Sequence, residues 1–393
     1  MRRVHDVIDF VDRGRGPSAT SARAEVQEAS LRVIVLLAFL VGPLGCGEEL
    51  APLQDVDDDD DGYRAEVAAP IDGSALEEIA SEQAPLGAPY PIILVHGFSG
   101  WADVGAVGYF YHVVEDLTAA GADVTAPALP PYDSSAERAV VLGHVVDAVL
   151  ARTHKRKVHL IAHSQGGVDS RILITDLGYA DRVASLTTIS TPHRGTAVAD
   201  LADVAPGEVL NPAGQLLAWL VGSLQGDPPD EASWLLDEGV EAAYDPDLAA
   251  SIDGLRPGTM ALFNAAHPDP LGVPIFSIAG VSNLASMDTP GCNDGLWAHN
   301  DAVDVVDVIF AASGAYLNYT EGGTLLSPTP NDGLVTVSSA RWGVWLGCVP
   351  ADHCDEIGQV ADDGPGLISG WDHRTLYLRL LQHVRSVEDL EQR

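Results

Sequence analysis

Short apolar runs alternate with stretches of helical periodicity from about residue 90 to the end of the chain. Pro91 to Val95 is continuously apolar and ends at His96-Gly97, the mark of a parallel strand buried on both faces. Tyr109 to Ala120 repeats with a helical period and stops at Gly121, and Asp123 to Ala126 reads as a short strand. Ser134 to Thr153 opens on Ser134-Ser135-Ala136-Glu137 and carries apolar residues at 139, 142, 145, 146, 149 and 150, which predicts an N-capped amphipathic helix. Lys157 to Ala162, Val183 to Ile189 and Pro274 to Ala279 predict further strands; Gly167 to Asp176 and about Leu376 to Leu390 predict helices. Strand and helix in turn, joined by right-handed crossovers, give an α/β domain with a mostly parallel central sheet and helices on both faces. Reactive groups in such a sheet gather beyond the carboxyl ends of its strands. His96-Gly97, Ser164 and Thr191-Pro192-His193 all fall at such ends.

The alternation breaks between about 196 and 257. Leu216 to Leu224 is apolar around most of a helix, Trp234-Leu235-Leu236 adds more apolar surface, and Gly226-Asp227-Pro228-Pro229 separates the two. Two readings stand: a pair of core helices, or a helical cap (lid) inserted over the reactive rim, its inner face apolar because it meets an apolar substrate.

The N-terminal pattern is of another kind. Val33 to Val41 is unbroken apolar sequence, opened by Arg32 and closed by Gly42-Pro43-Leu44-Gly45-Cys46. It is too short to span a bilayer and fits a signal-peptide core. Leu44-Gly45-Cys46 resembles a bacterial lipobox, with Pro43 where a leucine is usual, which implies lipidation of Cys46. Residues 1–46 therefore read as an export and lipoprotein signal region. Within it, 1–31 are long and of mixed charge for a leader, which suits a start codon assigned too far upstream. Residues 47–88 hold the run Asp55 to Asp61 and read as an acidic, self-repelling tether. The expectation is an exported protein, either tethered to the outer membrane or cell surface or secreted free, with its folded domain over 89–393.

Charge removes several partner classes. Asp and Glu number 57 against 21 Lys and Arg, for a net −36. That balance argues against nucleic acid and against a basic face docking on anionic lipid. Beside Cys46 the chain has Cys292, Cys348 and Cys354. In an oxidising compartment one pair can close, either Cys348 with Cys354 or Cys292 with one of them. With no CxxC and no zinc-type spacing, a metal–thiolate site is not expected.

Candidate chemistry centres on Ala162-His163-Ser164-Gln165-Gly166, where a strand runs into a serine flanked by small residues and a helix follows. That is the layout of a nucleophile elbow, with Ala162 where glycine is usual. A serine hydroxyl needs a histidine to take its proton and a carboxylate to orient that histidine, in the chain order serine, acid, histidine. Downstream, Asp332 in the turn Pro330-Asn331-Asp332-Gly333 is the candidate acid. The candidate base is His373 in Gly370-Trp371-Asp372-His373. Rivals are Asp304, Asp307 and Asp372 for the acid, and His353 and His383 for the base, while His163 is read as structural. The amides of Phe98 and Gln165 are the candidates for stabilising the oxyanion, with His96 bracing the Phe98 loop.

Together Pro91 to Phe98, Ala162 to Gly167, Ser190-Thr191-Pro192-His193-Arg194-Gly195-Thr196, Asn331 to Val335 and Asp372-His373 make the chain resemble the secreted bacterial triacylglycerol lipases over roughly 89–393. The resemblance implies an α/β-hydrolase fold, Ser164 as nucleophile, Asp332 as acid, His373 as base and the Phe98 and Gln165 amides as oxyanion donors. It implies an apolar ester or a lipid interface as partner. Many of these lipases hold calcium through an acid two positions after the histidine; here that position is Thr375, and the later Leu380 is apolar, so the resemblance leaves a structural calcium open without its expected acidic ligand, and no metal ligand or cofactor is assigned. The leading function is hydrolysis of acylglycerols or other long-chain apolar esters. Its alternatives are a short-chain carboxylesterase or polyester depolymerase, an acyltransferase, and a catalytically silent lipid-binding lipoprotein.

Overall fold

Ile92, Ile93, Leu94 and Val95 are fully buried because alternate side chains of one strand meet two different layers of helices. Ile92 and Leu94 pack into one apolar cluster, Ile93 and Val95 into another. The structure, a computed structural model, describes residues 88–98, 103–104, 107–203, 246–270, 272–283, 292, 295–297, 304–324, 327–359 and 370–391. All of them fall in one compact unit, Val56–Arg393. Every feature of 1–87 named above, Cys46 included, lies outside the described residues. So do the apolar segments 216–224 and 234–236 of the proposed cap.

The elements run β1 (Ile92–Val95), β2 (Asp103–Val104), β3 (Val107–Gly108), α1 (Val113–Ala119), β4 (Val124–Thr125), α2 (Ser135–Thr153), β5 (Val158–His163), α3 (Gln165–Thr175) and β6 (Val183–Ile189). There follow α4 (Pro246–Gly254), α5 (Pro257–Ala266), β7 (Ile275–Gly280), β8 (Ser282–Asn283), β9 (Asp304–Val305), α6 (Val308–Thr320), α7 (Val337–Ala340), β10 (Val344–Val349) and α8 (His373–Glu391). Six strands form one sheet in the order β10-β7-β6-β5-β1-β4, every neighbouring pair parallel. One face is covered by α1 and α8, through Val113, Leu117, Leu376, Tyr377 and Leu380. The other is covered by α2 and α3, through Leu142, Val146, Leu173 and Ile174. Each such side chain contributes about 1.5–3 kcal/mol on burial.

The patterned elements sit where periodicity puts them. Ser134 caps α2 in a reciprocal box with Glu137, as the motif requires. α1 starts later than its apolar period, because Tyr109 and Phe110 turn into the core and His112 caps the helix at φ 55°. Among the elements without a clear signal are α6, which follows Asp307, and the outer strand β10.

The segment expected as a cap is anchored at both visible ends. Thr196 N donates to Leu255 O at 2.9 Å, and Thr196 Oγ1 donates to Leu334 O. Gly195 lies so close to Pro257 that a side chain there would meet its backbone. The described residues 195–196 and 255–257 are thus joined directly.

Candidate active site

Ser164 stands between β5 and α3 at φ 54°, ψ −131°. The close packing around it explains the small residues. A Cβ at Gly166 would lie 2.6 Å from Val95 O, and one at Gly167 would collide with the Thr191 side chain. Thr191 Oγ1 donates to Ser164 O at 2.8 Å and Ser164 N donates to Ile189 O at 2.9 Å, so the backbone is held from β6 as well. Ala162 is fully buried beneath the turn.

The histidine against this serine is His353. Its Nε2 lies 2.9 Å from Ser164 Oγ and its Nδ1 lies 2.7 Å from Asp332 Oδ2. Because a carboxylate only accepts, Nδ1–H donates to Asp332 and Nε2 is left to accept the serine proton. Asp332 is fully buried and held firmly. Its Oδ1 accepts from Leu334 N and Val335 N, and its backbone carbonyl accepts from His353 N. Gly333, at φ 92° and pressed on Phe310, lets the turn wrap around the carboxylate.

His373 does not reach the serine, and its expected role as base is corrected here. It begins α8, its Nε2 donates to Tyr111 O at 2.9 Å, and its ring fills the space beside Gly358. Burial lowers its pKa. It pins a helix. His353 reaches the serine because it lies in the loop beyond the outer strand β10 (Val344–Val349), whose carboxyl end is at the sheet rim. His383 packs between Phe276 and Trp297, Asp372 bonds Arg374 N, and Asp307 leads into α6. None of these three touches Ser164.

Phe98 comes just after β1, next to Gly97, whose backbone packs on Ser164, and Gln165 directly follows Ser164 as the first residue of α3. First-turn amides of a helix have no partner within it, so Gln165 N–H is available to an anion. Its side-chain Nε2 donates to Ser251 Oγ, tying the elbow to α4. Ahead of Phe98, His96 Nε2 accepts from Leu129 N and Nδ1 donates to Gly97 O. Arg138, in a buried ion pair with Asp169, donates to His96 O. Burial, then Arg138, holds the His96 pKa down at about 3, so this brace is neutral.

Asp304, Asp352 and Asp355 each bring a carboxylate oxygen within 4.8 Å of the others. Burial, then Asp352, raises Asp304 to about 6; burial, with Asp304 and Asp307 adding to it, raises Asp355 to about 8. Asp304 Oδ2 is buried with no hydrogen-bond partner. An all-oxygen, multiply anionic donor set with an unpaired buried oxygen fits calcium. Counted from His353, the position two residues on is Asp355 rather than Thr375.

Cysteine pairing is also corrected. The disulfide is Cys292–Cys348, Cα atoms 5.2 Å apart, not Cys348–Cys354. Cys348 and Cys292 share one apolar cluster, whereas Cys354 packs into a different one beside Val306 and Phe310 and keeps its thiol.

Residues 90–228 match the family model described as alpha/beta hydrolase fold. The chain is 31% identical over 293 residues to the triacylglycerol lipase of Vibrio cholerae, covering 70% of this chain and 82% of that protein. It is 30% identical over 306 residues to the triacylglycerol lipase of Pseudarthrobacter phenanthrenivorans, covering 69% of this chain and 89% of that one. Among solved structures, Staphylococcus hyicus lipase matches with a TM-score of 0.53 at 19% identity, over 79% of this chain and 100% of that one. That last likeness is one of fold.

Proposed function

Since the chain belongs to the bacterial lipase family of α/β-hydrolases and is a carboxylic ester hydrolase, we propose that it cleaves acylglycerols and other long-chain apolar esters through an acyl-enzyme on Ser164. The observation that carries the reading is the unbroken line of hydrogen bonds from Asp332 through His353 to Ser164. Relatives at 30–31% identity that bear the name triacylglycerol lipase support the choice of ester.

In this mechanism Ser164 Oγ bonds to the ester carbonyl carbon as its proton passes to His353 Nε2. Asp332 keeps the imidazole oriented and stabilises its cationic form. The carbonyl oxygen, now an oxyanion, accepts from the Phe98 and Gln165 amides. The intermediate collapses and the alcohol leaves with the proton from His353. Water then gives a proton to His353 and attacks the acyl group; Ser164 recovers its proton and the fatty acid departs. Fluorophosphonate labelling tests the nucleophile: wild-type protein should be labelled and Ser164→Ala should not. Activity on an emulsified long-chain ester, well above that on a soluble short one, tests the substrate class; equal rates exclude it.

Calcium belongs to the same reading. Asp304, Asp352 and Asp355 would hold the ion, which would cancel their mutual repulsion and so stiffen the turn that carries His353. Export and lipidation of Cys46 rest on the N-terminal sequence alone. Intact mass of the purified native protein reads them: an acylated cysteine at the new N-terminus supports the tether, and an unmodified one excludes it.

A further inference from the structure

Beneath the catalytic residues runs a second line of hydrogen bonds that the proton transfers do not use. Gly97 N–H donates to the Tyr109 hydroxyl at 3.1 Å, and that hydroxyl lies 2.7 Å from His163 Nδ1. His163 Nε2 lies 3.0 Å from Glu356 Oε2, and Glu356 Oε1 accepts from Ser190 Oγ. Ser190 Oγ in turn accepts from Gly280 N at 3.0 Å. Burial, then Asp332, pushes the Glu356 pKa well above the ordinary carboxyl range, so the sense is set from the tyrosine end: its hydroxyl accepts from Gly97 N–H and gives its own proton to His163 Nδ1, which leaves His163 Nε2–H to donate to Glu356. The line joins the carboxyl ends of β1, β5, β6 and β7. Its carboxylate sits three residues after His353, in the same turn.

This line touches the site at two points. Gly97 lies directly before Phe98, and its backbone is packed so closely on the nucleophile that a Cβ would fall 2.6 Å from Ser164 Cβ and 3.0 Å from the Tyr109 hydroxyl oxygen. His163 lies under the base, ring centroids 4.5 Å apart. The Tyr109 backbone is held from the base loop too: Gln359 Nε2 donates to Gly108 O and Tyr109 O, and Tyr111 N donates to Ile357 O. Tyr109, His163 and Glu356 are all buried, so water is a poor substitute for any link. Burial, then His353, holds the His163 pKa well below its ordinary value, so His163 stays neutral with one nitrogen left to accept.

We propose that Tyr109 is a positioning residue for ester cleavage: its hydroxyl, oriented by His163 and Glu356, fixes the Gly97 N–H and so aims the Phe98 amide at the oxyanion. The role rests on the reading of Ser164 and Phe98 given above. It binds the oxyanion loop and the base loop into one frame, so that donors and base keep their spacing as charge develops.

Tyr109→Phe tests it, because the ring still packs edge-on against Phe110 while the acceptor for Gly97 N–H is gone. A lost oxyanion donor costs 10²–10³ in kcat, and a misaimed one should cost about tenfold, with KM on a soluble short-chain ester within about twofold. The rate of Ser164 phosphonylation by a fluorophosphonate, which also places negative charge on that oxygen, should fall by a similar factor. His163→Asn keeps an acceptor for the Tyr109 hydroxyl but is too short for Glu356, and should cost about threefold in kcat. Wild-type kcat in folded Tyr109→Phe, or a raised KM with kcat unchanged, overturns the role. Should Tyr109→Phe fail to fold, His163→Asn decides alone, and wild-type kcat there overturns it. If Tyr109→Phe is unaffected while Ser164→Ala is inactive and unlabelled, the positioning role falls and the nucleophile stands. Labelling or activity that survives in Ser164→Ala removes the nucleophile itself.

Discussion

At the scale of single residues, two histidines twenty positions apart divide the roles of base and anchor. His353 stands between Ser164 and Asp332, so His353→Ala should lower kcat by about 10⁴-fold or more. His373 holds the start of α8 to Tyr111 O, so His373→Gln should leave kcat within about twofold and cost about 1 kcal/mol of stability. Steady-state kinetics and denaturant unfolding of the two variants separate these roles; a dead His373→Gln in a folded protein would reverse them. His193 gives a pH signature. Burial, then Arg171 and Arg194, holds its pKa well below the ordinary value. As pH falls below about 6.5 the unfolded chain takes up this proton before the folded one does, so the stabilisation is present above that pH and lost below it. Against His193→Asn, the wild type should lose up to about 1.4 kcal/mol per pH unit between about pH 6 and 4. Urea midpoints that run parallel for the two proteins across that window would refute it.

At the scale of elements, strand alternation and capping chemistry were legible because they are local. Ser134 with Glu137, and the apolar runs of β1, β5 and β6, specify their own conformation. β10 was not legible: Gly347 at φ 133° interrupts its register, and Val344 is exposed while the rest is buried. Without that strand the loop beyond it had no place at the sheet rim, so His353 stood only as a rival to His373 and Asp355 was not named. The strand–elbow–helix junction makes its own prediction. Gly166→Ala drives a Cβ into Val95 O, a backbone atom that cannot turn aside, and should cost about 3 kcal/mol or prevent folding. Thermal melting of the soluble fraction reads this. The disulfide closes a separation of 56 residues, and on chain-entropy grounds Cys292→Ser should cost about 4 kcal/mol. A denaturation midpoint unchanged by reductant would exclude that contribution.

At the scale of the whole molecule, a net charge of −36 sets the conditions under which the domain is stable. Among the described residues no helix is long and apolar enough to cross a membrane. On the calcium reading proposed above, an ion held by Asp304, Asp352 and Asp355 would offset their mutual repulsion beside the loop of His353. With calcium at about a hundred times its dissociation constant the gain is about 2.7 kcal/mol. A chelator should therefore lower Tm by about 5 °C or more, and Asp304→Asn should abolish the shift. Calorimetry showing equal Tm with and without chelator would dismiss the cation. By itself the sequence determined the class of fold, the elbow at Ser164 and the acid turn at Asp332, because each depends on neighbours a few residues away. Only the tertiary structure decided which of several late histidines faces the serine, which cysteines pair and which acids cluster. Those choices turn on where loops from distant strands end, and several histidines, cysteines and aspartates in the chain are equally eligible until the sheet assembles.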